Sequence, residues 1–224
     1  MTNRLETVQL TKDYAGLLAL DRVRVLAEPA QITSIVGVNG AGKTTLLKVL
    51  AGLIAPTNGK ILIDSQEHEQ DQLRSRCTMV FQRTVMFGSS VYDNVAYGLR
   101  INRTPNREIP ERVQSALAVV NLEGFEKRRA RRLSSGEQQR VAIARALALD
   151  RGILLFDEPT ANLDPANSMI IERAIRESAQ TKVVLLSTHN LSQARRLSDR
   201  VIHLYRGRVV EEGAAHQFFA KPSD

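Results

Sequence analysis

The 224-residue chain is 43% hydrophobic and 25% charged, the balance of a soluble globular protein long enough to bury one full core. Its 31 Lys and Arg against 24 Asp and Glu leave a net charge of +7, which admits a nucleic acid, an anionic membrane surface or a small polyanion as ligand. One cysteine, Cys77, excludes an intrachain disulfide framework and a cysteine-based zinc cluster, and 4% aromatics without tryptophan argue against a stacking platform for single-stranded nucleic acid.

The opening third reads as β: Leu5–Leu10, then Val23 and Val25 alternating with Arg22 and Arg24, then Gln31–Val36. A helical pattern at Thr44–Ala51 is closed by Gly52, and the turn Pro56-Thr57-Asn58-Gly59 leads to Lys60–Asp64. Thr78–Phe81 is a short strand. From about Val91 to Leu149 the texture is helical, clearest over Glu111–Val120 and Gln138–Leu149, with Pro105 and Pro110 as punctuation. A strand at Ile153–Phe156, a helix at Ala166–Ala179, a strand at Val183–Ser187 and a helix at Leu191–Leu197 follow. The chain then forms a hairpin, Val201–Tyr205 with Arg208–Glu211, and a last helix at Ala214–Ala220. Strands alternating with helices predict an α/β fold with a mainly parallel central sheet. Apolar runs such as Ile153–Phe156 and Val183–Leu186 fall far short of the roughly 20 residues that span a bilayer. Met1–Leu10 lacks the apolar stretch of a secretory signal, so the expected location is the cytosol.

Gly37-Val38-Asn39-Gly40-Ala41-Gly42-Lys43-Thr44 fits G-x-x-x-x-G-K-[ST], between a strand ending at Val36 and a helix beginning near Thr44. Glycines let the backbone curl so that successive N–H groups face an anion, and the helix N-terminus adds partial positive charge. In such a phosphate loop Lys43 reaches the β- and γ-phosphates and the Thr44 hydroxyl holds Mg²⁺. A second metal anchor is supplied by Ile153-Leu154-Leu155-Phe156-Asp157-Glu158, an apolar strand ending in two carboxylates. Asp157 is the expected Mg²⁺ anchor, and Glu158, pointing elsewhere, the expected general base. Together these motifs imply a nucleoside-triphosphate hydrolase.

Leu133-Ser134-Ser135-Gly136-Glu137, followed by Gln138-Gln139-Arg140-Val141-Ala142-Ile143-Ala144-Arg145-Ala146, resembles the Leu-Ser-Gly-Gly-Gln signature and following helix of ABC-transporter ATPases. The resemblance covers nearly the whole chain. It implies the fold of that family: a mainly parallel core with an N-terminal antiparallel β-subdomain and an inserted helical lobe. Residues 1–82 and 151–224 would form the ATP-binding core and residues 83–150 the signature lobe of a single domain. It also implies head-to-tail dimers in which ATP is held by the phosphate loop of one subunit, Gly37 to Thr44 with Thr45, and by Ser134, Gly136 and Glu137 of the other. Tyr14 matches the aromatic that stacks on adenine. Gln82 matches the Q-loop glutamine that touches Mg²⁺ and water, Ala161-Asn162-Leu163-Asp164 matches the D-loop at the dimer interface, and His189 matches the histidine that bonds the γ-phosphate. His68, His203 and His216 match no motif.

Two positions depart from the family pattern. Ser135 stands for the first signature glycine, and a left-handed backbone there would cost a non-glycine residue about 1 kcal/mol. Glu137 stands for glutamine and would bring a carboxylate toward the γ-phosphate unless it turned outward.

A motor without its own membrane span implies separate partners: a second copy of the ATPase subunit, two transmembrane permease subunits, and through them an extracytoplasmic substrate-binding protein. The expected place is the cytoplasmic face of the membrane. Ser90-Val91-Tyr92-Asp93-Asn94-Val95-Ala96-Tyr97-Gly98-Leu99-Arg100 is similar to importers of oxyanions of the tungstate, molybdate and phosphate type, and the expectation of no regulatory domain after Ala214–Ala220 suits the short tungstate-type ATPases. The alternative is a soluble ATPase of the same family acting on nucleic acid or the ribosome, with Lys127-Arg128-Arg129-Ala130-Arg131-Arg132 as its footing. One phosphate loop and no heptad stretch weigh against it. A nucleotide clamp without turnover is opposed by the presence of Glu158 and His189.

Overall fold

Short, largely apolar runs become strands buried on both faces, and three of them lie side by side at the centre of this fold. The computed structural model describes residues 3–220. In chain order they form β1 (Leu5–Tyr14), β2 (Leu17–Val23), β3 (Leu26–Ala27), β4 (Ile32–Val36), α1 (Lys43–Leu50), β5 (Asn58–Ile63), β6 (Gln66–Glu67), α2 (Gln70–Arg76) and β7 (Cys77–Val80). The helices α3 (Val91–Ile101) and α4 (Ile109–Val119), a 3-10 turn (Ala130–Arg132) and α5 (Ser135–Ala148) come next. Then follow β8 (Ile153–Asp157), α6 (Pro165–Ala179), β9 (Val183–Thr188), α7 (Leu191–Leu197), β10 (Arg200–Tyr205), β11 (Arg208–Ala214) and α8 (Ala215–Phe218). The chain divides into two compact units: Met1–Met79 with Arg151–Glu158 and Ser178–Asp224, and Val80–Asp150 with Pro159–Glu177.

The first unit carries two sheets. One has the order β11-β10-β4-β9-β8-β7, with β10, β4, β9 and β8 parallel and β11 antiparallel on β10. Every residue of β4, β8 and β9 is buried, which is why β8 and β9 open on runs of four apolar residues, while β4 buries the small polar pair Thr33 and Ser34 between apolar neighbours. The other sheet is antiparallel, β2-β1-β5-β6 with β3 also paired to β1, and its strands alternate in burial because only one face meets the core. Leu46, Leu47 and Leu50 of α1 join Leu5, Leu10, Leu20, Ile61 and Ile63 of the antiparallel sheet and Ile35, Leu155, Leu185 and Ile202 of the other in one buried cluster. This core fixes where α1 begins. The β10–β11 hairpin turns through Arg206 and Gly207, both at positive φ (47° and 76°), the turn that suits the twist of paired strands.

The second unit packs α3 and α4 against α5. Pro110, read from sequence as punctuation, lies in the first turn of α4, where its missing N–H has no helical acceptor to lose. Arg140 of α5 donates to the carbonyls of Val120 (3.0 Å) and Asn121 (2.8 Å), satisfying the end of α4.

Several segments differ from the sequence expectation. β1 runs on to Tyr14, and β2 occupies Leu17–Val23 rather than starting near Val23, because the hairpin pairs residues of mixed polarity at its exposed tip. Residues 66–76, without any apolar period, still form β6 and α2. A reciprocal capping box between Glu69 and Gln72 starts that helix, and Leu73 alone anchors it in the core.

Leu185 of β9 is fully buried between β4 and β8. Leu185→Ala is expected to lower the unfolding free energy by about 2–5 kcal/mol, read as a fall in denaturant midpoint. A loss under about 1 kcal/mol would mean that the strand is not packed as described.

Candidate functional site

In the first unit, chain leaving β4 must curl at once to enter α1, and glycine is needed where it passes closest to its neighbours. A Cβ at Gly37 would collide with the Leu204 carbonyl of β10, and at Gly42, φ 106°, it would lie 2.6 Å from the Ala19 carbonyl oxygen. Substitution at either position displaces the loop. The curl is closed by Ala41 N–H donating to Val38 O (3.1 Å) and Leu46 N–H donating to Gly42 O (2.9 Å).

Lys43, the first residue of α1, is 6% exposed. Its ammonium donates to the carbonyls of Gly37 (2.7 Å) and Val38 (3.2 Å) and lies 3.7 Å from Glu158 Oε1. Thr44 Oγ1 donates to the Asp157 carboxylate, 2.9 and 3.1 Å from its two oxygens. Ser187 Oγ donates to Asp157 Oδ1 at 2.6 Å, and Glu158 N–H donates to Ser187 through its carbonyl (3.1 Å) and hydroxyl (3.2 Å). Glu158 takes a left-handed backbone, φ 46°, a conformation uncommon for a side chain of this size and found preferentially at functional positions. Its Oε2 lies 2.5 Å from His189 Nδ1, while the His189 side chain is 58% exposed.

Lys43, Thr44, Asp157, Glu158 and His189 are thus gathered at the N-terminus of α1. Thr45 lies in its first turn, and Val38, Asn39 and Gly40 are exposed along the loop, with Ala41 buried at its base. Tyr14 ends β1 at the hairpin tip, 45% exposed, with Lys12 Nζ 4.9 Å from its ring centroid. Ser187 was not singled out from sequence. Its signal is a hydroxyl at the end of the apolar run Val183–Leu186.

The remaining candidates belong to the second unit. Gln82 is exposed, between β7 and α3. Ser134 and Glu137 form a reciprocal capping box: Glu137 N–H donates to Ser134 Oγ (3.3 Å), and Ser134 N–H donates to Glu137 Oε2 (2.8 Å). Ser135 is the first residue of α5 and is not among the residues with left-handed backbone, so the condition under which a non-glycine residue there would be costly is not met. Gly136 is where size matters, since a Cβ would lie 2.5 Å from the Asn167 side chain. Asn167, unflagged by sequence, also donates from its backbone (2.9 Å) and side chain (2.5 Å) to the carboxylate of Asp164. The Ser134 backbone donor, with smaller help from Arg140 and Arg128 and against the cost of burial, holds the Glu137 carboxyl below its ordinary range.

Among the described residues no three His, Cys, Asp or Glu converge as a metal cluster, and no helix is long and apolar enough to cross a membrane. The oxygen donors of Thr44 and Asp157 nevertheless fit Mg²⁺, which takes few protein ligands and completes its shell with phosphate and water.

The protein family described as "ABC transporter" matches residues 20–161. The chain is 38% identical over 226 residues to the Fe(3+) ions import ATP-binding protein FbpC of Escherichia coli (strain K12), covering 99% of this chain and 65% of that protein. It therefore spans just under two thirds of that relative's length. It is 39% identical over 214 residues to the tungstate uptake system ATP-binding protein TupC of Peptoclostridium acidaminophilum, covering 94% of this chain and 97% of that one. The structure of cbiO1 from Clostridium perfringens, part of the ABC transporter complex cbiONQ, superposes with a TM-score of 0.88 at 30% identity, covering 99% of this chain and 92% of that chain.

The lowered Glu137 pKa gives a pH test. The stabilisation that Glu137 contributes is complete above the ordinary carboxyl value of 4.5 and is lost as pH falls through its lowered folded value. Glu137→Gln keeps a side-chain acceptor for the box, so its melting temperature is expected to trail the parent's most at neutral pH and to draw level in acid. A gap that widens below pH 4.5 would contradict the charge-assisted bond.

Proposed function

The chain belongs to the ABC transporter family, and on that premise we propose that it is the ATP-hydrolysing subunit of a transporter whose membrane-spanning parts are separate chains. The observation that carries this reading is the convergence of Lys43, Thr44, Asp157, Glu158 and His189 at one helix N-terminus.

Adenine stacks on Tyr14, and the triphosphate lies along the backbone from Gly37 to Thr45. Lys43 exchanges its carbonyl partners for β- and γ-phosphate oxygens, which is possible because a flexible ammonium gives up one set of acceptors for a more highly charged one. Thr44 and Asp157 would hold Mg²⁺, which when bound neutralises charge on the β- and γ-phosphates, and Gln82 takes its role in hydrolysis from the family motif that it matches. Glu158 accepts a proton from the attacking water. His189 orients that carboxylate through Nδ1, leaving Nε2 free for the γ-phosphate. Ser134, Gly136, Glu137 and Asp164 of a second, head-to-tail copy close over the same nucleotide.

Partners in this reading are that second copy and two permease subunits, which place the protein at the cytoplasmic face of a membrane and link it to an extracytoplasmic binding protein. An importer is favoured by the iron and tungstate relatives. Their near-equal identities, 38% and 39%, do not separate the cargoes, so a tungstate- or molybdate-like oxyanion rests chiefly on residues 90–100. The cargo contacts the permease and binding protein, so this chain's own chemistry carries no cargo contact.

Glu158→Gln is expected to lower ATP turnover by about 10²–10⁴-fold while ATP binding persists and an ATP-bound dimer accumulates. Turnover like the parent's would remove Glu158 from the base role. The transporter reading predicts co-purification with a permease from solubilised membranes at salt that disrupts non-specific nucleic-acid binding; salt-sensitive retention of RNA or DNA without a permease would favour the soluble alternative.

A further inference from the structure

Within the second unit, the segment that follows Gln82 is suspended from the stretch around the signature helix by side chains that donate to its carbonyls. Arg145 of α5 donates from Nη1 and Nη2 to the Val85 carbonyl, both at 3.3 Å, and from Nη2 to Asn94 Oδ1 at 3.0 Å. Its guanidinium lies 5.2 Å from the Phe87 ring centroid. Arg131, four residues ahead of α5, donates from Nε to the Met86 carbonyl at 3.1 Å and lines the space beside Gly88. Gln139 reaches the Phe81 carbonyl at 3.5 Å, the long limit of such a bond. Asn94, fully buried, completes the frame by accepting from Phe87 N–H at 2.9 Å.

Every acceptor of Arg145 is neutral, and its Nε is buried without a hydrogen-bond partner. Partly removing a cation from water without a carboxylate beside it is unfavourable, and this partial burial lowers the Arg145 pKa. A cost of that kind is retained where fixed geometry matters more than stability. Arginine suits the task because its planar fork grips two acceptors at once, which an ammonium on a flexible stem does not.

We propose that Arg145, assisted by Arg131, is a positioning residue for ATP hydrolysis: it fixes the 81–88 segment, and with it Gln82, to the helix that starts behind Ser134. The two motifs then move together. This rests on the role proposed above for Gln82.

The test is a double-mutant cycle on the full chain, with Gln82→Ala, Arg145→Met and the two combined, read as kcat and KM for ATP. Arg145→Met is expected to lower kcat about tenfold or more with KM within about twofold, since small misplacements of a catalytic group act on the chemical step. Arg145→Lys, which keeps the charge and loses the fork, should show the same loss. The double variant should turn over no more slowly than Gln82→Ala alone. Additive losses, or a raised KM at unchanged kcat, overturn the proposal while leaving the Gln82 role standing. A Gln82→Ala variant with the parent's kcat overturns the Gln82 role and the proposal with it. If Arg145→Met melts early, Arg131→Met, on an exposed side chain, supplies the same cycle with a smaller expected loss.

Discussion

A carboxylate buried at the end of an apolar strand costs several kcal/mol unless donors meet it, and the first unit is organised around meeting Asp157. The group is 4% exposed and accepts hydrogen bonds from Thr44 and Ser187. One donor comes from the start of α1 and the other from the neighbouring strand. Helix, loop and two strands are thereby tied at a point. Removing either hydroxyl leaves the carboxylate short of partners and loosens the entry angle of α1 with the loop before it.

Parallel register does the rest. Asp157 pairs with Ser187, and Val36 pairs with Thr188, so β4, β8 and β9 end on one line. Whatever follows each strand must then appear at the same edge: Gly37 after β4, Glu158 after β8, His189 after β9. This is the general reason that open α/β sheets bind ligands at the carboxyl ends of their strands. The same alignment puts the Leu204 carbonyl of β10 against Gly37, so the glycine of the motif serves the packing of the sheet as well as the curl of the loop.

The central strands and the glycine-rich loop before α1 were legible from sequence because their signals are local: largely apolar runs, and a fixed spacing of glycines before lysine. The hairpin extension to Tyr14 and Leu17 and the short helix Gln70–Arg76 were not, since pairing and capping rather than apolar period form them. In the site, acidic and basic residues at motif positions could be read, whereas Ser187 and Asn167 could not. Each acts by a contact across the fold, Ser187 on Asp157 thirty residues away and Asn167 against Gly136 thirty-one residues away, and no spacing rule announces either. Ser135 shows the converse case. Whether its place at a family glycine carries a backbone cost depends on φ, which sequence does not give; the residue is ordinary helix, and the steric demand falls on Gly136 instead.

The acidic signature residue also bears on the excess positive charge. A carboxylate in the first turn of a helix is favourable to the helix by about 0.3–1 kcal/mol, yet it offsets part of the positive potential that would attract a phosphate. Glu137 turns back onto Ser134 N–H, which uses its charge within the helix end, and the fields of Arg140 and Arg128 act on the same carboxylate. Arg140 in turn feels the Asp164 carboxylate as well as Glu137, so two cations face two anions around that end of α5. Arg128 therefore has a local electrostatic role, and Arg131 has a structural one on the Met86 carbonyl. Of the basic run from Lys127 to Arg132, two of five charges are accounted for inside the second unit. A charge run that sequence alone would assign to an external polyanion is in part engaged inside the chain's own second unit.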